Sequence, residues 1–195
     1  MSEPEKPFGV PGSEGDTFLS AGADCARSII DRFAARLKRL QRMNVSCAPK
    51  IPPIHTPGEY PRTLGAAPRA SVVSGHNPGN VARRAAWVAA QTAADAAIRY
   101  YYAYVNGPGL RGGGFKVTSL KSGAYRFALH RDRFVADAAS DGSFTQNPAN
   151  NAIRGTIVVN AGGRRYRVAI AWTQRSTYAH ATLNGAKLRL PAPGP

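Results

Sequence analysis

The sequence predicts an α+β protein in which a C-terminal antiparallel β meander or sandwich of about six to eight strands packs with one long Ala-rich helix. A basic amphipathic helix and a disordered N-terminal tail precede this domain. Three observations carry the expectation. Apolar residues recur at helical spacing between Asn80 and Val105, the period changes to two from Phe115 onward, and a Pro- and Gly-rich stretch separates both from the N-terminus.

Residues 1–18 are rich in Pro, Gly, Ser and Glu and offer no periodic apolar positions to bury, which predicts a disordered tail. Within residues 19–46, Ile30, Phe33, Leu37 and Leu40 follow one another at intervals of three and four, placing them on one stripe of a helix. Arg27, Arg32, Arg36, Lys38, Arg39 and Arg42 take up much of its remaining surface. Such a helix can lie on an anionic membrane or on nucleic acid, or pack its stripe on the domain and leave its charges solvated; the solvated face is the simpler reading. Residues 47–79 hold a density of prolines and glycines that breaks helices and most strands, and read as a linker or extended arm.

The domain proper spans 80–195. Asn77-Pro78-Gly79 precedes its Ala-rich helix and Asn106-Gly107-Pro108 closes it, with Trp87, Ala94, Ile98, Tyr101 and Val105 on one stripe. Tyr100, Tyr101, Tyr102 and Tyr104 point several ways around such a helix, so part of the group is expected to face solvent or a partner. Strands follow at Phe115–Val117, Tyr125–Leu129 and Phe134–Val135, then a turn at Asp141-Gly142. Strong strands at Ile153–Val159 and Tyr166–Trp172 come next, and last a hairpin of Ser176–Leu183 and Lys187–Leu190 around Asn184-Gly185.

Charge is the most informative property. Lys and Arg number 26 against 11 Asp and Glu, a net of +15. The first 59 residues are nearly balanced, and no acidic residue occurs from Gly142 to the end. Strand alternation divides the β region into two lists. Phe115, Phe127, Leu129, Ile157, Val168, Ile170, Trp172, Leu188 and their neighbours form a core. Lys116, Arg126, Arg154, Arg165, Arg167, Lys187 and Arg189, with His130 and small residues, emerge on the other side. A solvated face ordinarily mixes signs, because like charges opposite one another on neighbouring strands are destabilising. This one is expected to lack carboxylates, and guanidinium matches phosphate and carboxylate oxygens in a bidentate way. The bland alternative is compositional drift toward Arg, Ala, Gly and Pro.

Catalytic motifs are weak. Gly107-Pro108-Gly109-Leu110-Arg111-Gly112 matches G-x-G-x-x-G, but a helix precedes it and a strand follows, the reverse of the dinucleotide-binding order. His130-Arg131-Asp132 matches H-R-D, yet Asp137 stands where a kinase needs Asn and the chain is too short for that fold. His130 and Asp132, two apart on a strand, could pair as a base and its orienting carboxylate. The loop Gly75–Asn80 could present N–H groups to an anion beside Arg83 and Arg84, although an ordinary helix cap explains it as well. Cys25 and Cys47 form no C-x-x-C pair, and no metal or cofactor motif is present. The N-terminus lacks the apolar stretch of a signal peptide, and no run is apolar enough to span a membrane.

The sequence therefore predicts a soluble, basic, non-enzymatic binding or assembly protein, cytoplasmic or virion-associated, whose partner is a polyanion such as a nucleic-acid backbone or a nucleoprotein scaffold. Self-association through the tyrosines is a further expectation. Two alternatives accompany this reading. One is a small enzyme acting on an anionic substrate at His130 and Asp132. The other is a β-sandwich protein-interaction module.

Overall fold

A computed structural model describes residues 60–103 and 106–193, together with residue 46. The chain divides into two compact units, Met1–Pro52 and Pro53–Pro195, and the fold that follows belongs to the second. The expected tail, the first amphipathic helix, both cysteines and Tyr104 lie outside the described residues.

Nine strands form a single sheet: β1 (Ser71–Ser74), β2 (Gly107–Pro108), β3 (Gly114–Ser119), β4 (Tyr125–Val135), β5 (Ala138–Asn147), β6 (Ala152–Ala161), β7 (Arg164–Trp172), β8 (Tyr178–Leu183) and β9 (Ala186–Pro191). Their spatial order is β1-β9-β8-β7-β6-β5-β4-β3-β2, with every pairing antiparallel. From β2 to β9 the sheet is thus a continuous meander. β1 joins the far edge, and helix α1 (Asn80–Ala103) carries the chain from that edge across to the other.

The inner face of the sheet packs on α1. Ala85, Ala86, Val88, Ala89, Ala90, Ala93, Ala96 and Ala97 are fully buried. A helix so rich in Ala lets its backbone approach the strands closely, and the bulk comes from the sheet side. Phe127 and Phe144, on adjacent strands, stack at 4.5 Å, with Ile153, Ile157, Val168, Leu188 and Leu190 also buried. Burial along β7, β8 and β9 alternates as the sequence expects. In the β8–β9 turn Asn184 and Gly185 both have positive φ, the conformation that Asn-Gly supplies most readily.

Several expectations are corrected. Ser71–Ser74, inside the stretch read as a linker, is a strand paired with β9. The residues before it are docked as well. Leu64 N–H donates to Asp137 Oδ1 at 2.7 Å, Ala136 N–H to Arg62 O at 2.9 Å, and the Tyr60 ring stacks on Phe134 at 5.8 Å. Phe134-Val135 is no separate strand but the end of β4, which continues through bulges flanking Asp132. Asp141-Gly142 is no turn either. It lies within β5, and the chain reverses at Ala136-Asp137. The Ala-rich helix is formed as expected from Asn80 and is described as far as Ala103, Val105 lying outside the described residues.

Candidate anion-binding face

The outer face of the sheet can be assembled from the strand registers. One row runs Thr118, Arg126, Thr145, Arg154, Ala171, His180, Arg189 and reaches Ser71 on β1, each residue paired with the next. A second runs Lys116, Ala128, Ser143, Thr156, Ala169, Thr182, Lys187. Arg167 stands opposite Val158 and Arg165 opposite Asn160 toward one end. All seven cations singled out from the sequence, Lys116, Arg126, Arg154, Arg165, Arg167, Lys187 and Arg189, are exposed on this face.

The registers also show how the face tolerates its charge. No Lys or Arg of the seven stands directly opposite another; the cross-strand neighbours are Thr, Ala, Ser, Asn, Val or His. Strands lie about 4.8 Å apart, so Arg126 and Arg154 are separated by roughly 10 Å and Arg154 and Arg189 by roughly 14 Å. These spacings are near or beyond the Debye length of about 8 Å at physiological salt. Repulsion across strands is therefore largely screened, whereas Arg165 with Arg167 and Lys187 with Arg189, two apart on one strand and roughly 7 Å from each other, still repel. Hydroxyls of Thr118 and Thr156 stand beside the cations as further hydrogen-bond donors, while that of Thr145 already donates to Arg154 O at 3.3 Å.

Two residues depart from the expected picture. Asp141 lies on this outer face, contrary to the expectation of no carboxylate. It is fully engaged, accepting from Arg131 N–H and from Asn160 Nδ2, both at 2.9 Å, and it pairs with none of the seven cations. The only ion pair among the described residues is Arg99 Nε to Asp95 Oδ2, 2.9 Å, on α1. Tyr178 is exposed here too, although the aromatics were expected to turn inward, and Arg189 lies over its ring at 4.5 Å. Alternation in Tyr178–Leu183 carried that signal, but the expected strand began at Ser176 and left Tyr178 unassigned to a face.

The tyrosines of α1 do not form one surface. Tyr100 packs inward against the rings of Tyr125 and Phe127, at 5.2 and 5.5 Å. Tyr101 donates its hydroxyl hydrogen to Asn151 Oδ1 at 3.4 Å, and Tyr102 is widely exposed, at 87%.

The pairing of His130 with Asp132 is not formed. Arg131 adopts φ 47°, and the resulting bulge between Leu129 and Asp132 shifts the alternation by one. His130 is left exposed while Asp132 turns into the core at 1% exposure. Neither Asp132 oxygen has a hydrogen-bond partner among the described residues. The loop after β2 closes over it, since a Cβ on Gly109 would run into its carboxylate and one on Gly113 into the Arg131 carbonyl. Burial pushes the Asp132 carboxyl up to about 7, the nearby Asp95 charge adds to this, and the Arg99 guanidinium opposes it.

Among the described residues no group of three or more His, Cys, Asp or Glu is placed to hold a metal ion. No described helix is long and apolar enough to cross a membrane. Comparison of the chain with known protein families, with curated proteins and with solved structures returned no match.

Proposed function

We propose that this protein is a non-enzymatic binding or assembly protein that engages a polyanion, in the first place a nucleic-acid backbone, through the outer face of its sheet. The observation that carries the reading is the arrangement of Lys116, Arg126, Arg154, Arg165, Arg167, Lys187 and Arg189, drawn from five strands, exposed together and free of ion pairs within the described residues. Neutralising such a face requires either counterions or an anionic partner, and displacing several counterions at once is what drives binding to phosphate chains.

The face suits backbone contact rather than base reading. Among the described residues Tyr178 is the one Tyr, Phe or Trp ring exposed on it, whereas proteins that hold single strands present several such rings for successive bases. It also lacks a projecting helix to enter a groove, so sequence selectivity is not expected. A structural or virion-associated role, and a cytoplasmic location, belong to the same proposal.

Fluorescence anisotropy with a labelled duplex tests it. Arg165→Ala combined with Arg167→Ala is expected to weaken binding about tenfold or more at low salt while leaving the thermal midpoint within a few degrees, because both side chains are exposed. Undiminished affinity in that variant would remove the sheet face as the contact surface.

A further inference from the structure

A cavity lies at one end of the domain, apart from the cross-sheet rows just described. There the first turn of α1, the β6–β7 turn, the β4–β5 turn and the short 3-10 turn Leu64–Ala66 enclose a cavity of about 440 Å³. Leu64, Val81, Arg84, Asp137, Arg164 and Tyr166 are among its walls. Its size lies toward the small end of ligand pockets.

Three features set the chemistry of an occupant. Arg84 lines the cavity with a guanidinium whose buried Nε has no hydrogen-bond acceptor among the described residues, a rare state for a charged donor. Arg164 shares strand parity with Tyr166 and Val168 rather than with Arg165 and Arg167, so it belongs to this end of the inner face and not to the outer rows. The first turn of α1 contains no acidic residue, leaving the positive end of a 24-residue helix dipole uncompensated beside the cavity. Against these stands one carboxylate, Asp137, whose Oδ1 is committed to the Leu64 N–H at 2.7 Å.

Two guanidiniums and one carboxylate leave a single net positive charge, which matches a monoanion. Leu64, Val81 and the Tyr166 ring supply apolar wall beside the charged groups. We propose that this cavity binds a small organic carboxylate, its oxygens held by Arg84 and Arg164 and its apolar body against Leu64, Val81 and Tyr166. The carboxylate could belong to a free organic acid or to the C-terminus of a peptide, which share this chemistry.

Titration of the full chain, followed by NMR or calorimetry, tests the site with benzoate, N-acetylphenylalanine and the neutral isostere benzamide. Saturable binding of a carboxylate with benzamide at least tenfold weaker is the expected result, since a lost charge-assisted pair costs at least that factor. Preference for benzoate points to a free acid and preference for N-acetylphenylalanine to a peptide terminus, and either supports the site. Arg84→Gln should weaken binding about tenfold, and Arg164→Gln, at an exposed position, gives the same readout if the first variant fails to fold. Asp137→Asn should tighten it. Equal binding of benzoate and benzamide, or carboxylate binding unchanged in folded Arg164→Gln, overturns the proposal. Arg126→Ala with Arg154→Ala should leave benzoate affinity unaltered, so failure of the outer face and failure of this cavity are told apart.

Discussion

Asp132 is the residue at which this fold is most at odds with itself. An unpartnered carboxyl in the core is tolerated because it can keep its proton, and burial raises its value from 3.8 to about 7. The sign of the consequence follows. In the unfolded chain the group ionises near pH 4; in the fold it stays neutral until near pH 7. Below pH 4 it therefore costs no stability through ionisation. The cost grows as pH rises between the two values and is complete above 7, reaching up to about 4 kcal/mol. Asp132→Asn removes the ionisation while keeping the shape. Denaturant melts should show the variant gaining on the parent between pH 4 and pH 7 and more stable at pH 8. Parallel curves for the two proteins across that range would show that Asp132 does not titrate with folding.

Single residues also mark where sequence reading stops. The alternation that placed Arg126, Arg154 and Arg189 outside holds because nothing interrupts period two between each of them and its strand's core residues. At Arg131 one residue with positive φ changes the parity, and no local pattern announced it: His-Arg-Asp reads as continuous strand. The cavity near Arg84 was legible only in part: the sequence offered the start of the long helix, beside Arg83 and Arg84, to an anion, but positions 64, 137 and 164 join Arg84 only in the folded chain.

At the scale of elements, legibility follows side-chain chemistry. β6, β7 and the β8–β9 hairpin carry Ile, Val, Tyr and Trp at alternate positions and end in Gly-Gly or Asn-Gly turns, so they read directly. β5 was missed because Ala138, Ser140 and Gln146 take inner positions with only Phe144 among them as a large apolar residue, and because Asp-Gly in its middle mimics a turn. β1 was missed for its four-residue length amid prolines; it is held through β9 and through Arg83, whose Nε donates to Ala70 O at 2.6 Å. The helix read well, for its Ala content and its N-terminal Asn-Pro-Gly are strong signals. Its Ala content has a second meaning in the fold, namely close approach to the sheet. Ala93→Leu, at a fully buried position, is expected to lose about 1–3 kcal/mol in urea unfolding through overpacking. A neutral effect would mean that the helix stands off the strands further than its burial implies.

For the whole molecule, the sheet separates two jobs. Its inner face packs on the helix and carries the largest fully buried side chains, Phe127, Phe144, Ile153, Ile157, Leu188 and Leu190 among them. The cations of the outer face are exposed, and there the excess charge is distributed in rows that avoid direct like-charge opposition between strands. A face shaped only by stability would mix signs to gain cross-strand attraction. Among the described residues the one acid on this face, Asp141, accepts from Arg131 N–H and Asn160 and pairs with none of the cations singled out.

The most direct test of that view is the salt dependence of duplex binding. For contacts made through phosphates, the logarithm of the binding constant falls linearly with the logarithm of salt concentration, with a slope of about −0.9 per phosphate neutralised. Replacing Arg126, Arg154 and Arg189 together by Ala removes three cations from one cross-sheet row without touching the core. The account expects the slope to become shallower by about 2 to 3 and the affinities of parent and variant to converge at high salt. An identical slope in a variant that still folds would contradict it.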